Sequence, residues 1–108
     1  MDVELFNAET ARERGAEGQA RVCARRAAGI AIRTYLDWAG VPTQGMNAYD
    51  LILFLRDQPG TKAEIKKVAE HLSARVNEQF NLADDVDLIA ETRWLIDQLE
   101  ALAGDHLE

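Results

Sequence analysis

Residues 19–39 read QARVCARRAAGIAIRTYLDWA, and their pattern predicts a long α-helix. Small and apolar residues recur in it at intervals of three and four, the spacing of one face of an α-helix. Because alanine side chains are short, they predict that a neighbouring helix packs closely on this face. Gly40 is a good stop signal for the helix. The face comprises Ala20, Ala24, Ala27, Ala28, Ala31, Tyr35 and Trp38, with Cys23, Ile30 and Thr34 beside it.

The remaining segments also have helical spacing. Residues 3–14 could form a short helix rich in charges, and Asn47 can cap another over residues 48–57. A helix opened by a capping box at Thr61 and Glu64 follows, with apolar residues at intervals of three and four. This later apolar set is Ile65, Val68, Ala69, Leu72 and Val76.

The last segment has the strongest apolar face. We expect its helix to start near Asp84 or Asp85, where acidic residues suit the positive end of the helix dipole, and to end at Leu102 with Gly104 as C-cap. The apolar face is formed by Leu88, Ile89, Trp94, Leu95, Ile96, Leu99 and Leu102.

No segment alternates with the period of two that marks a half-buried strand. The short connections favour antiparallel neighbours, so the sequence predicts an all-α fold, an up-and-down four-helix bundle with an additional short helix. A chain of 108 residues fits one domain, over residues 1–106, and Leu107 and Glu108 resemble the remnant of an affinity tag.

Composition and charge narrow the classes of partner. The net charge of -7 and the pI near 4.8 disfavour binding to nucleic acid but leave it open, since a locally basic face would suffice. No apolar run is long enough to span a membrane, and the acidic start lacks the basic region of a signal peptide, which points to the cytoplasm. Cys23 is the single cysteine and is expected to be a buried apolar residue.

Few residues suggest a catalytic, cofactor-binding or metal-binding site. The sequence has no phosphate-binding glycine loop, no histidine pair at metal-ligand spacing and no nucleophile elbow, so neither a metal nor a cofactor is expected. The acidic cluster at Asp84, Asp85 and Asp87 lacks the spacing of a calcium loop and is better explained by helix capping. His71 is expected to be exposed, and the arginines of residues 19–39 to pair with acidic residues across the bundle.

The order of these segments, together with the alanine-rich residues 20–31 (ARVCARRAAGIA) and the short segment 47–55, resembles the HEPN superfamily over residues 18–102. HEPN domains are small helical bundles found in prokaryotic toxin, antitoxin and nucleotidyltransferase-associated proteins. The resemblance implies a protein partner, such as a minimal nucleotidyltransferase, or a phosphorylated ligand. It also implies a homodimer in which the arginine-bearing helices meet.

The nuclease members of that family carry an arginine, four to six further residues and then a histidine. Here Arg75 matches, but Phe80 occupies the first allowed histidine position, and Asn81 and Leu82 occupy the others. The resemblance therefore implies a non-catalytic module in which Arg75, Asn77 and Glu78 line the binding groove.

Two alternatives from other classes remain. One is a metal-independent RNase of the HEPN type in which Arg75 works with His71, and the other is a structural dimerisation domain with no ligand.

Overall fold

The computed structural model describes residues 2–73 and 87–107, and the side chains of residues 3–73 and 87–103. These residues form five helices and no strand, which confirms the prediction of an all-helical chain. Within the described ranges, no helix is both long and apolar enough to cross a membrane. The helices are α1 Asp2–Glu13, α2 Glu17–Trp38, α3 Ala48–Asp57, α4 Ala63–Ser73 and α5 Leu88–Leu107.

Helix α2 is the centre of the fold, because α1, α3 and α5 all pack against it. Its predicted alanine face is buried, as is Cys23, which is 3% exposed and accepts a weak hydrogen bond from Gln19. Trp38, in the last turn of α2, differs from the prediction because it is 39% exposed. Its ring contacts the Tyr35 ring, with the two centroids 5.9 Å apart. The buried face of α2 consists of Ala20, Cys23, Ala24, Ala27, Ala28, Gly29, Ala31, Ile32 and Leu36.

Helix α3 has the bounds that the sequence predicted, and its N-cap is also as predicted. Asn47 Oδ1 accepts a hydrogen bond from the Asp50 amide at 2.8 Å, and Asp50 Oδ2 accepts one from the Asn47 amide at 3.3 Å. The start of α3 touches the middle of α2, where Gly29 leaves room for Ala48. A small residue on α2 therefore allows a close helix neighbour, although Gly29 lies outside the predicted alanine face.

The direction of α3 differs from the expected antiparallel arrangement. Ala48 lies beside Gly29, and Leu55 lines the same cavity as Leu36, so α3 runs parallel to α2. The cause is the connection over residues 39–47, which runs back along α2 before α3 begins. Arg33 holds this loop by donating a hydrogen bond to the Met46 carbonyl.

Helices α4 and α5 run in opposite directions. Ile65 near the start of α4 lines a cavity with Leu99, whereas His71 near its end contacts Glu91 near the start of α5. The buried side chains of α4 are Ile65, Val68, Ala69, Leu72 and Ser73, while Val76 lies outside the described residues.

Helix α5 starts at Leu88, after the predicted start near Asp84 or Asp85, and it extends beyond the predicted end at Leu102. Asp87 caps its start, because Oδ1 accepts hydrogen bonds at 3.1 Å from the amides of Ile89 and Ala90; Asp84 and Asp85 lie outside the described residues. The prediction of Gly104 as C-cap was wrong, since α5 continues through it to Leu107. A helical glycine costs only about 1 kcal/mol relative to alanine, so Gly104 alone does not end the helix.

Two ion pairs connect the first helix to the last. Arg12 on α1 donates to Asp87 Oδ1 at 2.9 Å and to Glu17 at 2.7 Å, and Arg93 on α5 pairs with Glu9. These pairs show that α1 and α5 run in opposite directions, since the end of α1 meets the start of α5. The Arg12 and Arg93 pairs are half exposed, so each contributes at most about 1 kcal/mol.

Candidate ligand-binding cavity

Most of the site residues predicted from the sequence fall in one segment. Arg75, Asn77 and Glu78 lie outside the described residues, as do Phe80, Asn81 and Leu82. The groove implied by the family resemblance therefore stays a prediction.

His71, the second residue of the RNase alternative, is described. Its side chain is 26% exposed and its Nδ1 lies 2.7 Å from Glu91 Oε1. The expectation of an exposed, solvated histidine was therefore wrong, because α5 brings a carboxylate over the ring. A carboxylate held at Nδ1 orients an imidazole and favours the lone pair on Nε2, as acid and base catalysis requires. A purely structural role explains the same contact, because it joins α4 to α5.

Two arginines of α2 donate hydrogen bonds to backbone carbonyl groups. Arg25 Nε donates to the Leu72 carbonyl at 2.7 Å, and Arg33 donates to the Met46 carbonyl. Burial and the neighbouring charge of Arg21 lower the pKa of Arg25. A cation beside the last described carbonyls of α4 complements the negative end of the helix dipole. Arg25 and Arg33 therefore connect α2 to the end of α4 and to the loop before α3.

A cavity of about 300 Å³ opens at the end of the bundle where α2 and α3 finish and α4 begins. Its walls are mostly apolar, and they come from three separate stretches of the chain. One side is formed by the connection between α3 and α4, where Gly60 turns the chain with a φ of +86°. The apolar wall consists of Tyr35, Leu36, Ala39, Val41, Leu55, Pro59, Ile65, Leu99 and Leu102.

Three of the polar side chains that line this cavity belong to the α3–α4 connection. Gln58, Thr61 and Lys62 follow one another closely in the α3–α4 connection and line the cavity together. The Thr61 hydroxyl donates to the Leu55 carbonyl at 3.3 Å, which fastens the connection to the last turn of α3. Among the described residues that line the cavity, Lys62 is the one that carries a formal charge. An apolar chamber with a few convergent polar groups is typical of a small-molecule site.

A second concave surface lies between α2 and α5. It is smaller, about 170 Å³, and it is bordered by Thr34, Trp38, Ile96 and Glu100. Ile30, one turn before Thr34 on α2, is 43% exposed. Exposed apolar side chains beside a shallow groove are a feature of surfaces that contact other proteins.

The sequence did not indicate the end cavity. Its lining residues occur at positions 35–41, 55–65 and 99–102, and local features such as a helix end or a turn account for each of these clusters in the sequence.

Within the described ranges, no group of three or more His, Cys, Asp or Glu residues is placed to hold a metal ion. Comparisons with family models, with curated proteins and with solved structures found no match for this chain.

Proposed function

We propose that this chain is a non-catalytic, HEPN-like helical module of the cytoplasm that binds a small molecule in the end cavity. The observation that carries the proposal is the cavity itself, about 300 Å³ with apolar walls and one polar side. That volume is at the lower limit of ligand sites in proteins. The alternation of direction through α1, α2, α4 and α5, with α3 as the additional short helix, supports the up-and-down bundle that the short connections predict.

The size of the cavity limits the ligand. If each non-hydrogen atom occupies about the 30 Å³ of a water molecule in the liquid, the chamber holds roughly ten such atoms. A ligand of that size buries its apolar part against Leu99, Leu102 and Ile65 and gains affinity from the area removed from water. We expect a Kd on the order of 1 mM or below for a simple compound.

A cavity-filling substitution tests this proposal. Ala39 lines the cavity but is exposed at the end of α2, so Ala39→Leu reduces the volume without disturbing the core. The control is Ala101→Leu, the same change at an exposed position of α5 outside the cavity. A panel of compounds of about ten non-hydrogen atoms is titrated against the ¹⁵N-labelled proteins. Binding should be weakened by Ala39→Leu and unchanged by Ala101→Leu. If no compound binds, or if Ala39→Leu binds as the parent does, the proposal is wrong.

We also propose a protein partner, such as the minimal nucleotidyltransferase or the toxin–antitoxin partner that the HEPN resemblance implies. The exposed Ile30 and Trp38 beside the α2–α5 groove support this part of the proposal. A neighbouring gene for a nucleotidyltransferase would supply the protein to test by co-purification. Trp38→Glu should abolish the association, whereas Lys67→Glu on exposed α4 should not.

The RNase alternative has one observation in its favour, the contact between His71 Nδ1 and Glu91. It predicts RNA cleavage that His71→Ala and Arg75→Ala both abolish and that Glu91→Gln reduces. We expect no such cleavage, because a histidine is missing from positions 80–82. Activity that survives removal of contaminating nucleases and is lost in Arg75→Ala would establish the alternative.

A further inference from the structure

We propose that the ligand of the end cavity is a small anionic amphiphile, an apolar chain with a single negatively charged head group held by Lys62. This inference rests on the proposed function and adds the chemical class of the ligand. The cavity has two chemically different parts, and each part selects one part of such a molecule.

The apolar part of the cavity accepts a hydrocarbon chain. Leu36 and Leu99 are 4% and 3% exposed, so they form a closed inner wall, and Leu102 and Val41 are partly buried around it. The described residues of this inner wall present no charged side chain to the chamber. A charged or strongly polar ligand group would lose its hydration there without compensation, which excludes it from the inner end.

The polar part of the cavity accepts a negative charge. Lys62 lies at the rim and is exposed, and the Gln58 amide and the Thr61 hydroxyl line the cavity beside it. The Thr61 hydroxyl donates its hydrogen to Leu55, so the remaining donors on this side are the Gln58 amide group and the Lys62 ammonium group. An ammonium group forms an ion pair with a carboxylate or phosphate group and also donates hydrogen bonds to its oxygens. A neutral head group can accept the hydrogen bonds but cannot form the ion pair.

The position of Lys62 is notable because the chain carries 19 acidic residues against 12 Lys and Arg. The net charge of the molecule opposes anions at long range, whereas the rim of this cavity has a cation and, among its described lining residues, no carboxylate. Local charge therefore determines which head group is accepted, since a contact within a few Å outweighs charges beyond the Debye length of about 8 Å.

Octanoate and 1-octanol are the probes that test the inference, because they share a hydrocarbon chain and differ in the charge of the head group. Acetate serves as the head group without the chain. Each is titrated against the ¹⁵N-labelled full chain and against three variants: Lys62→Gln, Lys67→Gln and Ala39→Leu. Lys67 is also exposed on α4 but does not line the cavity, so it controls for the loss of one positive charge.

Octanoate should bind about fivefold more tightly than 1-octanol, the factor expected for an exposed ion pair. Lys62→Gln should remove that preference, Lys67→Gln should retain it, and Ala39→Leu should weaken both compounds. The amides of residues 58–62 should shift with octanoate, and acetate alone should not bind measurably.

The other outcomes separate the two proposals. Equal binding of octanoate and 1-octanol, or an octanoate preference that persists in Lys62→Gln, would overturn the anionic class while the cavity remained a binding site. Binding of neither compound, or binding that Ala39→Leu leaves unchanged, would overturn both.

Discussion

The contact between Gly29 on α2 and Ala48 on α3 allows a quantitative prediction. A Cβ atom added at Gly29 would lie 2.7 Å from the Ala48 Cβ and 2.9 Å from its Cα. Carbon atoms in ordinary contact are about 3.5–4.0 Å apart, so the two helices would have to separate by about 1 Å. The clash is with backbone as well as side chain, and it cannot be relieved by a rotamer change.

Gly29→Ala should therefore destabilise the protein by about 2 kcal/mol. Overpacking typically costs about 1–3 kcal/mol, and we take the upper end because the Ala48 backbone must move. Replacing a helical glycine by alanine returns about 1 kcal/mol of helix propensity, which leaves the net value. Such a loss corresponds to a decrease in Tm of roughly 10 °C for a domain of this size.

Gly18→Ala is the matched control, because Gly18 also lies in α2 but its added Cβ would meet nothing within 4 Å. It should stabilise the protein by about 0.5–1 kcal/mol, since only the propensity changes. The assay is urea unfolding followed by far-UV circular dichroism for the parent and both variants. If Gly29→Ala is as stable as Gly18→Ala, α2 and α3 do not approach as closely as described and the reasoning is refuted.

Four further predictions concern stability and association. Leu95 is fully buried, so Leu95→Ala should cost about 2–5 kcal/mol in urea unfolding, and a loss under about 0.5 kcal/mol would show that its face is exposed. The buried Thr92 hydroxyl has no hydrogen-bond partner within the described part of the chain, so Thr92→Val should be neutral or stabilising by about 1 kcal/mol; clear destabilisation would reveal a partner. Burial raises the pKa of Asp87, but hydrogen bonds from Arg12 and from two amides outweigh it and hold the pKa below its usual value. Its stabilising contribution is therefore present above the unfolded pKa of about 3.9 and is lost as the pH falls through the folded pKa, and Asp87→Asn should flatten this acid dependence of the urea midpoint. Finally, sedimentation at micromolar concentration should show a homodimer that phosphate stabilises and that Arg75→Glu alters, whereas a single-chain mass in every condition would contradict the dimer.

The sequence predicts best where a signal is local. The bounds of α3 follow from Asn47 before an apolar segment and from Pro59 after it, and both signals act within a few residues. The buried alanines of α2 follow from their spacing, whereas Ile32 and Leu36 are also buried and were not part of the predicted face. Gly104 failed as a stop signal because a glycine reduces helix stability without preventing the helix from continuing.

The arrangement of the helices and the end cavity depend on contacts between residues that are far apart in the sequence. The parallel direction of α3 requires residues 39–47 to fold back along α2, which the length of the connection does not specify. The partners of His71 and Arg25 are 20 and 47 residues away, so no local pattern could identify Glu91 or the Leu72 carbonyl. The end cavity exists because three separated stretches of the chain meet there. Neither the spacing of apolar residues nor the composition predicts that they meet.

The ion pairs between α1 and α5 have a consequence for the order of folding. Arg12 and Asp87 are 75 residues apart, and Glu9 and Arg93 are 84 apart, whereas α1 and α2 meet across a turn at Gly15. During synthesis from the N-terminus the α1–α2 hairpin can form early, but α1 gains α5 as a neighbour only after α5 has been synthesised. Until then the α2 face that later receives α5 is open to other apolar surfaces. We expect that removal of α5 would expose apolar surface of α2 and promote aggregation.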